Sequence, residues 1–366
     1  MTPFHIPERL EFSSELIDFN SPGESSAFCK EEISKYSGGK TFLTNSCTAA
    51  IEVALLTLKQ QRPDLKVVGL PTYTFASVLS AVLKLGFTPV LIDVDRTTGV
   101  ITSETLERLG CPIDILIANH YATHLVDFSE LKKILPEIVV IEDAAQAFGD
   151  PRLLSVERVR GDFVCFSFHQ TKNIHCGFGG SLSINSSRFD AELVDHIIDR
   201  GTNRNGVVRS QIKSYEFVCV GGSYALPEGL AFALRKQILA MPEILRAREI
   251  IFHRYSRGLE SAIGDSISFS SASAVEKSNF HSVFVLTKDS ESGLREYLGK
   301  YGIPAYQGYS PLHSAAGVLG HGMHIGAYQG ASWLSSRINR LPIYPSLPLE
   351  VVDECISRIT EWSQAN

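Results

Sequence analysis

The sequence predicts an α/β fold in which a mostly parallel sheet is flanked by helices and is followed by a smaller C-terminal α+β domain. Over the first two-thirds of the chain, short β-rich runs alternate with stretches of helical spacing. The runs are apolar on both sides, which is typical of strands buried in a parallel sheet. A long helical region then leads into a less regular tail. We therefore divide the 366-residue chain into a large domain of residues 1–240 and a small domain of residues 241–366.

The predicted strands of the large domain are short runs closed by polar or turn-forming residues. The clearest is Glu-Ile-Val-Val-Ile at residues 137–141, because four of its five residues are β-branched. Another, at residues 66–70, is closed by Pro71. The predicted strands are residues 41–44, 66–70, 88–94, 114–118, 137–141, 163–168 and 181–184.

Between these strands, apolar residues recur at spacings of three and four, as in amphipathic helices. Ile51, Leu55 and Leu58 show this spacing in the first of them. Within the long helical region that follows the sheet strands, Pro242 marks a break. The predicted helices are residues 47–58, 75–85, 104–109, 128–135, 188–200, 227–261, 293–301 and 350–362. A strand is predicted at residues 282–286, and residues 201–214 are predicted to be a polar stretch.

Composition and charge restrict the class of protein. Hydrophobic residues make up 44% and charged residues 20% of the chain, which excludes a disordered, collagen-like or coiled-coil protein. The net charge of −6 leaves no broad cationic surface for nucleic acid or anionic lipid. A local basic pocket for a phosphate is still compatible with this charge.

The compartment can also be predicted from sequence. The seven cysteines are odd in number and include no Cys-x-x-Cys pair, so we expect reduced thiols. No run reaches the roughly 18 apolar residues of a membrane span. Residues 1–9 lack the basic start and apolar core of a signal peptide. We expect a cytoplasmic protein with neither a nucleic-acid nor a membrane partner.

Polar residues follow several predicted strands, at the edge where open parallel sheets bind ligands. Small residues and a hydroxyl open the helix after residues 45–46, which suits an anion site at its N-terminus. An ordinary N-cap by Ser46 or Thr48 explains the same pattern and is the more common case. Residues 71–75 carry aromatic side chains that could cover a planar ligand or simply pack in the core.

The most informative segment is residues 166–173, followed by a glycine-rich turn at residues 177–180. Lys172 lies just beyond an apolar strand, where burial lowers the pKa of an amine and allows it to form a Schiff base. A solvated surface lysine is the alternative. Together with Asp143 at the end of another strand, Lys172 fits a site for pyridoxal 5′-phosphate (PLP), in which the aspartate pairs with the pyridine nitrogen. No metal site is predicted.

These segments resemble the DegT/DnrJ/StrS nucleotide-sugar aminotransferases, and among them the dTDP-4-amino-4,6-dideoxygalactose transaminases. The most specific motifs are FSFHxTKN, which contains Lys172, and EDAAQ, which contains Asp143. The resemblance implies the PLP-dependent transferase fold type I, with a mostly parallel seven-stranded sheet. The matching segments are residues 46–55 (SCTAAIEVAL), 71–77 (PTYTFAS), 141–147 (IEDAAQA), 165–173 (CFSFHQTKN), 201–204 (GTNR) and 310–313 (SPLH).

The resemblance also implies roles at the cofactor ring. Lys172 would hold PLP covalently and then move a proton between the carbon atoms of substrate and cofactor. Asp143 would keep the pyridine nitrogen protonated. Gln146 would lie near the ring hydroxyl, and Phe75 would stack on the ring face.

The cofactor phosphate and the substrate are assigned in the same way. By resemblance, the backbone amides of Thr48 and Ala49 and the Ser167 hydroxyl would bind the phosphate. A loop of the second subunit of a homodimer would complete that pocket, and its candidate residue is Ser223. Residues expected to contact the sugar nucleotide are Tyr309 and His313, with Arg204, Arg209 and Lys213 as candidates for its diphosphate.

The implied reaction transfers the amine of L-glutamate to the ketone of a nucleotide-linked 4-keto-6-deoxy sugar, with dTDP as the expected nucleotide. Two alternatives share the lysine and the aspartate: another fold-type I enzyme, such as an amino-acid lyase or desulfurase, and a PLP-binding regulator without catalysis. The sequence departs from the family in two places and matches it poorly over the first 40 residues. Phe178 replaces an acidic residue, and Gly308 replaces a frequent histidine.

Overall fold

A seven-stranded sheet forms the centre of the computed structural model. The structure describes residues 23–208, 213–260, 267–269, 277–290, 292–315, 317 and 326–365. Within them the strand order is β1-β7-β6-β5-β4-β2-β3. Only β7 is antiparallel to its neighbours, so the carboxyl ends of the other strands share one edge. The strands are β1 (Lys40–Thr44), β2 (Val67–Pro71), β3 (Thr88–Ile92), β4 (Ile115–Asn119), β5 (Val139–Asp143), β6 (Phe163–Ser167) and β7 (Gly180–Ile184).

Helices cover both faces of this sheet, as predicted. Successive side chains of β4 point to opposite faces of the sheet. Ile115 and Ile117 belong to one hydrophobic cluster, and Leu116 and Ala118 belong to another, so both faces are covered. The first eight helices are α1 (Glu24–Ser37), α2 (Cys47–Gln61), α3 (Ala76–Lys84), α4 (Ser103–Glu107), α5 (Phe128–Ile134), α6 (Ala191–Ile198), α7 (Arg204–Val208) and α8 (Glu228–Leu239).

The C-terminal part has its own antiparallel sheet in the order β10-β9-β8. Residues between 251 and 362 form a separate hydrophobic cluster around it. The long helical region breaks after Leu239, and Pro242 is the second residue of the next helix, in agreement with the predicted break. The division at residue 240 stays a prediction. The elements are α9 (Met241–Glu260), β8 (Ile267–Phe269), β9 (Val283–Thr287), α10 (Leu294–Lys300), α11 (Gln329–Arg337), β10 (Ile338–Leu341) and α12 (Leu349–Ala365).

Most predicted boundaries lie within three residues of those in the structure, and two of the differences fall on segments that carry predicted site residues. The strand predicted at residues 137–141 begins at Val139, after the exposed Glu137, and reaches Asp143 because its backbone pairs with Asn119 of β4. The polar stretch predicted at residues 201–214 contains the short helix α7. None of the helices in the described ranges is long and apolar enough to span a membrane.

Candidate active site

The N-terminus of α2 lies at the carboxyl edge of the sheet, directly after β1. Ser46 caps the helix, and its Oγ accepts a hydrogen bond from the Ala49 amide at 3.0 Å. The predicted role of that amide in phosphate binding therefore requires the cap to be displaced. Thr48 Oγ1 donates to Ser77 Oγ at 2.8 Å, which leaves the backbone amides of the first turn as the anion-binding groups.

Close backbone packing holds this helix start against β7. A Cβ atom on Gly180 would lie 2.4 Å from the carbonyl carbon of Ser46 and 2.5 Å from the amide nitrogen of Cys47. Glycine is therefore required for β7 to approach α2. Ser167 pairs with Gly180 across the sheet, so its hydroxyl lies at the same edge, where it accepts a 3.4 Å hydrogen bond from the His169 amide.

Asp143 is a buried carboxylate at the end of β5. Its Oδ1 accepts hydrogen bonds from the Ala145 amide at 3.1 Å and from the Cys47 thiol at 3.8 Å. Burial raises the pKa of Asp143, and the charge of Lys172 acts against that shift. Among the described residues, no basic side chain lies within 4.0 Å of this carboxylate. A buried carboxylate needs a cationic partner, and a protonated pyridine nitrogen fits that need.

The neighbouring carboxylate, Glu142, points to the opposite face of the strand. Its Oε1 accepts a 2.8 Å hydrogen bond from His120 Nε2, and its Oε2 accepts one from the Gly161 amide at 2.9 Å. Burial alone would raise the pKa of Glu142, but the hydrogen bond and charge of His120 lower it overall. Arg158 lies 3.5 Å from the same carboxylate. Glu142 is therefore fully engaged, and Asp143 is the carboxylate free for a ligand.

Lys172 is carried on a turn that follows β6. The Lys172 amide donates to the His169 carbonyl at 2.8 Å, and the Gln170 amide donates to the carbonyl of Gly177, whose φ is +88°. Burial lowers the pKa of the Lys172 amine, and the charge of Asp143 opposes that shift. Lys172 and Asp143 thus lie close enough for each to act on the other, as the sequence predicts.

Gln146 is connected to the predicted sugar cleft by a hydrogen bond to Tyr309, which packs with Tyr73 and Phe75. Gln146 Oε1 accepts from the Ala122 amide at 2.8 Å, and its Nε2 donates to the Tyr309 hydroxyl at 2.8 Å. The Tyr309 ring lies 5.6 Å from the ring of Tyr73 and 6.4 Å from that of Phe75. Phe75 is 61% exposed and is therefore open to cover a planar ligand.

His313 is fixed beside this group. Its Nδ1 lies 2.8 Å from Thr72 Oγ1, at the end of β2, and its Nε2 lies 3.1 Å from Ser332 Oγ. Its ring stacks on Tyr328 with 4.5 Å between centroids. The segment that carries Tyr309 and His313 is thus attached to the carboxyl edge of the sheet.

Two predicted residues have other contacts within the chain. Ser223 is exposed, and its carbonyl accepts a 3.0 Å hydrogen bond from Asn45, the residue that precedes the α2 cap. Arg204 pairs with Asp199 at 3.1 Å, at the end of α6, rather than joining the Lys172 group. Lys213 is exposed, and Arg209 lies outside the described residues.

Sequence reasoning missed several residues of the site. Arg340 of β10 was assigned to an irregular segment, although its charge acts on Lys172. His281 Nδ1 lies 3.0 Å from Asn173 Oδ1, which connects the segment before β9 to the lysine turn. No motif in the sequence marks either residue. Arg340 follows the apolar Ile338 and the polar Asn339, and an alternation of two residues is too short to identify a strand. The sequence also predicts no role for Cys47, whose thiol donates to Asp143.

The two departures from the family pattern have clear structural settings. Phe178 is 62% exposed, and its ring meets His169 edge-on at 5.2 Å between centroids, so the turn accommodates it at the surface. Gly308 has φ +89°, and a Cβ there would lie 2.6 Å from the Tyr73 hydroxyl and 2.9 Å from the Tyr121 hydroxyl. The two tyrosines occupy the space that a side chain at position 308 would need.

Comparison with known proteins supports the same assignment. The family model of the DegT/DnrJ/EryC1/StrS aminotransferase family matches residues 17–360. An uncharacterized protein of Methanocaldococcus jannaschii, MJ1066, is 27% identical to this chain and covers 95% of it and 92% of its own length.

Solved structures show the same fold. The putative sugar aminotransferase Spr1654 from Streptococcus pneumoniae, in its PMP form, has a TM-score of 0.81 at 22% identity and covers 94% of this chain and 92% of its own. Helicobacter pylori PseC, an aminotransferase involved in pseudoaminic acid biosynthesis, has a TM-score of 0.82 at 19% identity, covering 94% and 93%.

These matches confirm the predicted fold type I, the predicted cofactor and the predicted class of enzyme, a transaminase. The family is PLP-dependent, and the buried Asp143, the Lys172 amine and the open first turn of α2 are the groups that PLP needs. The alternatives of a lyase, a desulfurase or a regulator without catalysis are not supported. The chain belongs to the DegT/DnrJ/EryC1/StrS aminotransferase family.

Proposed function

We propose that this enzyme transfers the amine of L-glutamate to the ketone of a nucleotide-linked 4-keto-6-deoxy sugar, with dTDP as the nucleotide. The product would serve surface-glycan or deoxyaminosugar biosynthesis in the cytoplasm. The observation that carries the proposal is the placement of Lys172 and Asp143 together at the carboxyl edge of the sheet, beside the segment of Tyr309 and His313.

Bound PLP supplies an electron sink for the carbanion formed when an amino acid loses its α-proton. Asp143 would hold a proton at the pyridine nitrogen, because a buried carboxylate stabilises that charge. The first turn of α2 and the Ser167 hydroxyl would bind the phosphate, and Gln146 would lie near the ring hydroxyl. Phe75 would stack on the ring.

Lys172 moves the proton in both halves of the reaction. Because burial lowers the pKa of its amine, the neutral form is more available near pH 7 than that of a surface lysine. The Lys172 amine would take the proton from the α-carbon of the donor and would return a proton, on the same face, to the carbon of the cofactor that receives the amine. One lysine on one face of the ring is sufficient for both transfers.

The acceptor would lie against Tyr309 and His313. With a net charge of −6, the chain must bind a sugar diphosphate through local cations and helix N-termini. Arg204 contributes to the diphosphate site once a ligand competes with Asp199. Ser223, exposed beside Asn45, would complete the phosphate pocket of the second subunit in a homodimer.

A panel assay tests the function. Purified enzyme with PLP and L-glutamate is supplied with nucleotide-linked 4-keto and 3-keto 6-deoxy sugars that carry dTDP, UDP or GDP, and the products are identified by NMR. We expect amination at C4 of the dTDP sugar. Amination at C3, or of the UDP or GDP sugars alone, would contradict the proposal.

Two variants separate catalysis from background. Lys172→Ala should abolish turnover, because no second amine replaces the proton carrier. Lys133→Ala removes an exposed lysine of α5 that pairs with Glu130, and it should leave turnover unchanged. An equal loss of turnover in both variants would show that the loss comes from damaged protein and not from removal of the catalytic amine.

A further inference from the structure

Arg340 is held at the inner edge of the small domain. Its backbone pairs with Tyr306, with N···O distances of 2.7 and 3.0 Å in the two directions. Its Nε donates to Ser282 Oγ at 3.0 Å, which fixes the guanidinium plane. The side chain is half-buried, and its Cδ lies 3.7 Å from the position of a Cβ on Gly308. No side chain at position 308 therefore covers the stem of the arginine.

The guanidinium has no anionic partner in the part of the chain that the structure describes. Other part-buried arginines do: Arg152 pairs with Asp150 at 2.7 Å, and Arg158 lies 3.5 Å from Glu142. Beyond Ser282, the donors of Arg340 make no hydrogen bond with a described residue. A half-buried cation with a fixed plane and free donors is suited to a planar anion such as a carboxylate.

Two tyrosine hydroxyls and the stem of Arg340 lie around the position that a Cβ on Gly308 would take. Tyr73 and Tyr121 have hydroxyls 3.2 Å apart, and both stand against Gly308, next to Tyr309. Burial raises the pKa of the Tyr121 phenol, and the charge of Arg340 acts against that shift. The same charge adds to the effect of burial in lowering the pKa of Lys172. Arg340 thus lies beside the Gly308 turn and close enough for its charge to act on the lysine amine.

We propose that Arg340 binds the α-carboxylate of the amino donor, an inference that rests on the proposed function. The α-carboxylate is bonded to the carbon whose proton Lys172 removes, so it must lie within a few ångströms of the lysine amine during the reaction. A sugar diphosphate is attached at C1, across the ring from the C4 ketone, and so lies farther from Lys172. A cation near the lysine thus matches the donor carboxylate better than the diphosphate.

Binding of an unreactive donor tests this without turnover. 2-Methyl-L-glutamate has no α-proton, so it can bind without reacting further. In its α-carboxamide analogue a neutral amide replaces the α-carboxylate, and the rest of the molecule is unchanged. Both ligands are titrated calorimetrically into the PLP-loaded wild-type enzyme, Arg340→Gln, Arg340→Lys and the control Arg337→Gln. The Arg337 guanidinium donates to the carbonyls of Lys288 and Trp333 and to the Ser336 hydroxyl.

We expect the wild type and Arg337→Gln to prefer the carboxylate about 10- to 100-fold, the range for charge-assisted hydrogen bonds. In Arg340→Gln the preference should fall below about threefold, and in Arg340→Lys it should be intermediate, because the charge remains without the planar fork. The affinity for dTDP, measured in the same variants, should stay within about twofold. If Arg340→Gln does not fold, a preference for the carboxylate in Arg340→Lys that is lower than in the wild type supports the proposal.

Three results would overturn it. An undiminished preference in Arg340→Gln, or in Arg340→Lys if that variant alone folds, would exclude carboxylate binding. Loss of dTDP affinity with the preference intact would assign the arginine to the diphosphate. A wild type that binds neither glutamate analogue would overturn the donor assignment, whereas a failed sugar panel with an intact preference would leave this inference standing.

Discussion

At the scale of single residues, environment separates side chains of the same type. Glu142 and Asp143 are adjacent carboxylates, yet strand alternation turns one toward His120 and the other toward Lys172. The sequence predicts Lys172 and Asp143 because each follows an apolar run at a strand end. Arg340 could not be predicted, since its role depends on a tertiary position that no local pattern encodes.

The glycine at position 308 provides a residue-scale prediction. Gly308→Ala should lower the free energy of unfolding by about 1–3 kcal/mol, since an alanine at φ +89° is strained and its Cβ meets the Tyr73 hydroxyl. Urea denaturation measures the loss. Gly293→Ala, at φ +76° with open space around it, gives the backbone part alone.

The steric part can be tested separately. In a Tyr73→Phe background the hydroxyl that contacts the new Cβ is missing, so Gly308→Ala should cost less there than in the wild type. Additive effects of the two substitutions would show that crowding by Tyr73 does not constrain position 308.

At the scale of elements, long apolar patterns were easier to predict than short ones. The seven strands of the main sheet follow β-rich runs, and their approximate positions are confirmed. The sequence analysis missed α1, α7, α11, β8 and β10. The sequence Ile-Asn-Arg-Leu of β10 has no strong β preference, and it becomes a strand because it pairs with β9 over residues 283–286.

The cap of α2 provides an element-scale prediction. Ser46→Ala removes the acceptor of the Ala49 amide and should lower the free energy of unfolding by about 1 kcal/mol. Because the freed amide becomes available to the cofactor phosphate, PLP affinity should change less than about threefold. Thr102→Ala, which removes the equivalent cap of α4, is the matched control. A loss of PLP affinity above about tenfold in Ser46→Ala alone would instead assign the phosphate to the Ser46 hydroxyl.

At the scale of the whole molecule, buried histidines make stability depend on pH. Burial lowers the pKa of His124 to about 4 and also lowers the pKa of His169, His175 and His281. The unfolded chain therefore binds more protons than the folded chain below about pH 6.5. The stability is fully present above that pH and is lost as pH falls toward the folded-state values.

His124 isolates part of this effect. Between pH 7.5 and 5, the wild type should lose about 2 kcal/mol more unfolding free energy than His124→Asn, which has no proton to gain. Urea denaturation of both proteins at the two pH values measures the difference, and His253→Asn, a partly exposed residue of α9, is the control. Parallel pH profiles of wild type and His124→Asn would contradict the assignment.

The antiparallel strand β7 also has a consequence for how the chain is made. Among the described strands, β1 is hydrogen-bonded in the sheet to β7 alone, and β7 follows about 140 residues later. At a ribosomal rate of roughly 5–20 residues per second, about 7–28 s pass between the synthesis of β1 and that of its partner strand. During that time the first strand is an unpaired edge with apolar side chains, open to wrong pairing with other chains. The main sheet therefore cannot be completed until residue 184 has been made, and chaperone binding to the nascent chain before that point would protect β1.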